Sequence, residues 1–270
     1  MDMIAFIGGG NMASAIIGGL RKNGRDGSTI VVVDPGETQR AKLAGDFGVR
    51  TLAAADASLV QASLVVWAVK PQFFAAAAAP CAAHVSNALQ LSVMAGIRSD
   101  AIARASGSER VVRAMPNTPA LIGRGISGLY ARAAVGASER AQVDAVLAPT
   151  GQTVWVDREE DLDAVTALSG SGPAYVFYFV EAMMQAASEM GLSAEQGKRL
   201  ALATFAGATS LAAASDEPPE VLRERVTSKG GTTYAALSSL EADGVKPAFV
   251  RALKAAQQRA RELGDEFGRA

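Results

Sequence analysis

The residues Ile4-Ala5-Phe6-Ile7-Gly8-Gly9-Gly10-Asn11-Met12-Ala13 put an apolar run directly before a G-x-G-x-x-A turn. A helical pattern follows at once. Gly8 permits the tight turn, Gly10 lets backbone approach a bound pyrophosphate, and Ala13 keeps the helix close to the strand. The helix start supplies free N–H groups and a partial positive charge, so Gly8, Gly9, Gly10, Asn11 and Met12 are candidate dinucleotide contacts. The second apolar run ends in Asp34, where an acid accepts hydrogen bonds from ribose hydroxyls and repels a 2′-phosphate. Arg40 and Lys42 follow within a few residues. Arg40 can balance such a phosphate, or both can simply solvate a helix face, so NADH and NADPH both stay open.

Later apolar runs end in further candidates. Ala68-Val69-Lys70-Pro71 closes one, Met94-Ala95-Gly96 the next, and Met115-Pro116-Asn117-Thr118-Pro119 a third. In an open α/β sheet, ligands lie beyond the carboxyl ends of the strands. That makes Ala68, Val69, Lys70, Pro71, Ala95 and Gly96 cofactor candidates. Lys70 is either a proton donor or a side chain whose stem packs while its ammonium caps a carbonyl. A second glycine site, Ser228-Lys229-Gly230-Gly231-Thr232-Thr233-Tyr234, runs into a helical pattern far from the first. It offers bare backbone donors from Gly231 to Tyr234 and threonine hydroxyls to an anion. Equally, Thr232 can serve as the N-cap of a structural helix.

Other chemistries are poorly supplied. The chain has one histidine, His84, and one cysteine, Cys81. A His- or Cys-based metal site is therefore not expected. His84 stands in an alanine-rich stretch and reads as a helix-end residue. A hydroxyacid dehydrogenase of similar layout is disfavoured. It would carry a Lys-x-x-Asn pair, whereas Lys198 is followed by Arg199-Leu200-Ala201. A cofactor-binding regulator without catalysis is the reading from another class.

The elements that position these residues alternate in the first half. Strands are expected at Ile4–Ile7, Ile30–Val33, Leu64–Val69, Leu89–Val93, Val111–Ala114, Ile126–Tyr130 and Thr153–Val156. Helices are expected at 12–22, 39–47, 73–84, 100–105 and 138–147. This alternation predicts an α/β fold with a Rossmann-type, doubly wound parallel sheet over residues 1–160. From about Asp161 every periodic segment is helical, which makes 161–270 an all-α domain. Its breaks fall at Gly191-Leu192-Ser193, Asp216-Glu217-Pro218-Pro219 and Asp243-Gly244. The stretch Ala201 to Ala214 is rich in small residues and buries little area per residue, so a partner subunit is expected.

With 270 residues, 49% hydrophobic and 20% charged, the chain is globular, and its net charge of -1 argues against a nucleic-acid partner. The start MDMIAFIGGG lacks the basic residues of a signal peptide. The most apolar later stretch, 174–187, is too short to span a bilayer, which takes about 20 apolar residues. One cysteine excludes an intrachain disulfide. A cytoplasmic protein is expected.

FIGGGNMASAIIGGL, WAVKPQ, MPNTPA, LSGSGPAYVF and VTSKGGTTYAAL occur in this order. Together, over essentially the whole chain, they closely resemble the pyrroline-5-carboxylate reductase family. The first motif is shared with many dehydrogenases; the later ones are far more specific. The resemblance implies reduction of L-1-pyrroline-5-carboxylate to L-proline with NADPH or NADH. It implies a C-terminal dimerisation domain, interlocked homodimers that assemble further, commonly into decamers, and an active site between one subunit's cofactor and helices partly from its partner. It implies that Gly230, Gly231, Thr232 and Thr233 hold the substrate carboxylate, with Asn117 nearby, and that the Thr233 hydroxyl meets the ring nitrogen. Two positions depart from the family pattern. Asp34-Pro35-Gly36 stands where Ser, Asn or Arg is common, and Ala55 stands where Asn is common, leaving Asp56 to replace that contact.

Overall fold

The structure, a computed structural model, describes residues 2–268. It divides into two compact units. The first takes the chain to Ser171 and again from Ala256; the second is Gly172–Ala255.

The first unit is built on an eight-stranded sheet in the order β3-β2-β1-β4-β5-β6-β7-β8. The strands are β1 Met3–Ile7, β2 Ile30–Val33, β3 Arg50–Leu52, β4 Ala62–Trp67, β5 Leu89–Ser92, β6 Val111–Met115, β7 Gly125–Ala131 and β8 Gly151–Trp155. The helices between them are α1 Asn11–Lys22, α2 Glu37–Phe47, α3 Phe74–Ala78, α4 Ala82–Val85, α5 Ser99–Ser106 and α6 Ala137–Leu147. Strands buried on both faces read as continuous Val/Ile/Leu runs, as IVVV at β2 does. Alternate side chains serve opposite faces. Ile4 and Phe6 pack with Ile16, Ile17, Leu43 and Val143; Ala5 and Ile7 pack with Val65, Trp67, Phe74 and Ile102. Trp67 is fully buried, and its Nε1 donates to Gln90 Oε1 at 2.9 Å.

Three details differ from the pattern expected of the sequence. β3 was not foreseen: it has only Arg50, Thr51 and Leu52, and an exposed Arg50 disguises it. The expected helix at 73–84 is divided into α3 and α4 around Pro80, which cannot continue an α-helix. The sheet is mostly rather than wholly parallel, because β7 runs antiparallel to β6. Between them the chain makes only a short 3-10 turn at Thr118–Ile122, and a parallel return would need a longer crossover.

After β8 the chain is helical: α7 Asp161–Val165, a π-helical turn Thr166–Gly170, α8 Gly172–Glu189, α9 Ala194–Ala213, α10 Pro219–Arg225, α11 Thr232–Ala242 and α12 Val245–Gly268. α9 opens with a capping box, in which Ser193 Oγ accepts from Gln196 N and Gln196 Oε1 accepts from Ser193 N. α8 and α9 bury few side chains in this chain: Val180 and Ala187 on the first, Gly197 and Ala201 on the second.

Candidate active site

The three first glycines have different jobs. Gly8 has φ +95°, and a Cβ there would stand 2.7 Å from the carbonyl oxygen of Ala68. Its left-handed conformation and the close approach of β4 both demand glycine. A Cβ at Gly9 would lie 2.6 Å from Leu43 Cδ1, so Gly9 admits α2. Gly10 is different: its φ is -67° and a Cβ there would meet nothing within 4 Å. The protein itself does not require glycine at this position. Beside it the N–H groups of Gly10, Asn11, Met12 and Ala13 meet no acceptor among the described residues, and Gly10 and Asn11 are exposed. This is a cradle of backbone donors at a helix start, the arrangement that suits a phosphate.

The cradle opens into a groove of about 520 Å³. Gly8, Gly9, Gly10 and Asp34 line it, with Ala68, Val69 and Lys70 from the end of β4. Its remaining wall is apolar: Ile7 and Val33 from the sheet, and Pro35, Ala53, Ala54, Ala55, Phe73, Ala76, Ala77 and Pro80. Apart from Ala55, sequence reasoning did not single out this wall, because alanines carry no chemistry; the aromatic Phe73 after WAVKPQ was the available signal. Pro71 starts the turn behind Lys70 and is not part of the lining. Asp56, expected to replace a contact at Ala55, is not among the groove-lining residues. Its Oδ1 accepts from Ser58 N at 2.8 Å and caps a 3-10 turn.

Asp34 is clamped by backbone. Its Oδ2 accepts from Gly9 N at 2.8 Å and its Oδ1 from Gly36 N at 2.8 Å. Gln39 Nε2 donates to the carbonyl of Gly9. Arg40 Nη1 donates to the carbonyls of Asp34 and Pro35, both at 2.8 Å.

Ala95 and Gly96 lie in the loop after β5, outside the groove lining. Ala95 is exposed. Gly96 has φ +75°, and a Cβ there would come 3.0 Å from Phe267 near the end of α12. A buried charge network anchors this loop. Ser99 N and Arg113 Nη1 donate to Glu159 Oε1 at 2.6 and 2.8 Å, and Ser99 Oγ donates to Glu159 Oε2 at 2.6 Å. Arg98 Nη2 pairs with Asp163 Oδ2 at 3.0 Å. Burial holds Arg113 below the usual arginine range, an effect the Glu159 carboxylate opposes.

Asn117 joins two motifs that stand far apart in sequence. Its Oδ1 accepts from Ile126 N at 3.0 Å and its Nδ2 donates to Ser169 Oγ at 3.3 Å. Next to it, a Cβ on Gly170 would stand 2.5 Å from Met115 Cε. The π-helical turn places Ser171 N on the carbonyl of Thr166 at 2.8 Å, closing the wider i→i+5 ring. An amide has a second N–H, so one donor of Asn117 is left for a ligand.

In the second unit, Gly230 takes the left-handed φ of +73° and Gly231 is the N-cap of α11 without any side-chain cap. Thr232 is thus the first helical residue and caps nothing. Gly231 N–H, expected to be free, donates to the carbonyl of Ser228 at 3.0 Å and closes the turn. The N–H groups of Thr232, Thr233 and Tyr234 have no acceptor among the described residues, and no hydrogen bond engages the hydroxyls of Thr232 and Thr233. Among the described residues no group of three His, Cys, Asp or Glu side chains is placed to hold a metal ion. No described helix is long and apolar enough to cross a membrane.

Comparison with known proteins finds two family models along the chain. Residues 159–263 match "pyrroline-5-carboxylate reductase dimerisation", and residues 3–96 match "NADP oxidoreductase coenzyme F420-dependent". A pyrroline-5-carboxylate reductase of Pseudomonas aeruginosa is 45% identical over 267 residues, covering 98% of each chain. One from Haemophilus influenzae is 40% identical over 271 residues, again with 98% of each chain. A solved pyrroline-5-carboxylate reductase from Coxiella burnetii superposes with a TM-score of 0.91 at 35% identity, over 97% of this chain and 98% of that one. A Plasmodium falciparum pyrroline carboxylate reductase, solved with NADP bound, gives 0.85 at 27% identity over 97% and 98%.

Proposed function

This chain belongs to the pyrroline-5-carboxylate reductase family, and from that premise we propose how its residues divide the work. It is an NAD(P)H-dependent oxidoreductase that reduces L-1-pyrroline-5-carboxylate to L-proline, the last step of proline biosynthesis. The groove fits a dinucleotide because Gly10 opens toward it and the N–H groups at the start of α1 meet no acceptor among the described residues. When bound, the cofactor supplies the hydride that the imine carbon takes up. Gly10, Asn11 and Met12 hold its pyrophosphate, while Asp34 lies at the ribose. Val69 and Lys70 border the groove, and the loop of Ala95 and Gly96 contributes beyond the lined region.

The N–H groups of Thr232, Thr233 and Tyr234 grip the substrate carboxylate, with the bare backbone of Gly230 and Gly231 leaving room for it. The second N–H of Asn117 contributes a further hydrogen bond. The imine nitrogen can carry its own proton near neutral pH, so the chain's main task is to orient it. The Thr233 hydroxyl orients that nitrogen. Positioning and exclusion of water are the main sources of rate.

We assign cofactor binding to residues 1–160 and pairing of subunits to 161–270, in keeping with a dimerisation model that matches from residue 159. The working particle is a homodimer that assembles further into a decamer, acting in the cytoplasm.

One observation carries this reading. The start of α11 presents donors without partners behind a left-handed glycine, at a position where no side chain caps the helix. Mixing pyrroline-5-carboxylate with NADH or NADPH and following loss of the reduced nicotinamide absorbance tests it. Turnover is expected, and Thr233→Ala is expected to cut kcat by roughly tenfold or more with little change in cofactor affinity. A cofactor that binds but is never oxidised would favour a non-catalytic regulator instead.

A further inference from the structure

We propose that Asp34 makes this enzyme prefer NADH over NADPH; the inference rests on the reductase reading above and deepens it. The clamp on the carboxylate is the first argument. Gly9 N and Gly36 N each take one oxygen at 2.8 Å, so the group keeps its position before any cofactor arrives. A carboxylate offers about four acceptor sites, and two of them remain for the neighbouring hydroxyls of a ribose. Swinging aside to admit a phosphate would strip both backbone amides of their partner.

Charge is the second argument. Besides Asp34 and Lys70 the lining is glycine and apolar residues, among them Pro35, Ala53, Ala54 and Ala55. None is a cation. Lys70, the one cation of the lining, follows β4 rather than β2. Arg40, the natural counter-ion by sequence, does not line the groove. Its Nη1 is spent on the carbonyls of Asp34 and Pro35. Gln39 is likewise committed, to the carbonyl of Gly9. A 2′-phosphate would therefore meet a fixed negative charge in a lining that holds no cation from the turn after β2, whereas ribose hydroxyls would meet acceptors.

The test measures binding as well as turnover. Dissociation constants of NADH and NADPH for the full chain are read from nicotinamide fluorescence. AMP and 2′-phospho-AMP are compared as displacing fragments that carry no reactive ring. NADH is expected to bind at least about tenfold more tightly than NADPH, a factor within reach of one like-charge contact at a half-exposed site. AMP is expected to beat 2′-phospho-AMP in the same sense. Asp34→Ser is expected to shrink or invert both ratios, and Arg40→Gln to leave them unchanged. Equal or tighter binding of NADPH by the wild-type chain would overturn the proposal, and so would a selective loss of NADPH in Arg40→Gln. The wild-type ratios need no variant to fold. Failure of the reductase reading is separately visible: no turnover with either cofactor, while AMP and 2′-phospho-AMP are still told apart.

Discussion

Gly8 and Gly10 stand two positions apart and answer to different masters. At Gly8 the fold itself forbids a side chain, through φ +95° and the Ala68 carbonyl 2.7 Å from any Cβ. Gly8→Ala is expected to destabilise the protein by about 1–3 kcal/mol, seen as a lower urea midpoint. At Gly10 the protein leaves open space. Gly10→Ala is expected to keep the thermal midpoint and to weaken NAD(P)H binding by about tenfold or more; a variant that binds normally would deny the cradle its role. Cys81 supplies a third prediction at this scale. It is fully buried and donates to the Ala77 carbonyl, and burial pushes its thiol up to about 11. The folded state keeps the proton that the unfolded chain releases near the ordinary thiol value. Stability is therefore intact below about pH 9 and falls as pH climbs toward 11. Native protein is expected to react slowly with thiol reagents at pH 8, and unfolding by urea to release the reaction.

Whole elements are tied together by buried charge rather than by strands alone. Glu159 receives Ser99 from the start of α5 and Arg113 from β6, while Asp163 on α7 receives Arg98. Arg98 also lies close against α12, where a Cβ on Gly264 would fall 2.6 Å from its Nη2. Arg98 Nη1 and Arg113 Nε are already buried without a partner among the described residues. Asp163→Ala is expected to cost about 3–5 kcal/mol, because it strands a largely buried guanidinium, and Asp163→Asn distinctly less. Equal midpoints for wild type and Asp163→Ala would show the pair to be idle. None of this could be seen in the sequence: Ser99 and Glu159 are 60 residues apart, and Asn117 and Ser169 are 52 apart. What could be seen were elements with their own local signals. The buried runs at β1, β2 and β4 announced themselves, and so did the break at Gly191-Leu192-Ser193 before α9. β3 did not, since Arg50-Thr51-Leu52 gains strand geometry only by pairing with β2. The commitment of Arg40 Nη1 to carbonyls was invisible for the same reason.

For the molecule as a whole, the second unit leaves much apolar surface uncovered. Phe177 is 58% exposed, Tyr178 69% and Leu211 63%. Patches of this kind mark an interface. The alanine-rich helices pointed the same way from sequence, since small residues bury little area on their own. Light scattering is expected to find a particle of at least twice the 27.7 kDa chain, and Leu211→Asp to shift it toward smaller species. A wild-type monomer at micromolar concentration would contradict this. The larger claim is chemical: one helix start holds a dinucleotide and another holds a small carboxylate, both through backbone donors. A crystal structure with NADH and a saturated ring analogue of the substrate, such as proline, tests it most directly. The account predicts the analogue's carboxylate within hydrogen-bonding distance of the N–H groups of Thr232, Thr233 and Tyr234, and the pyrophosphate on Gly10 and Asn11. A carboxylate seated elsewhere, with the start of α11 left to solvent, would contradict it.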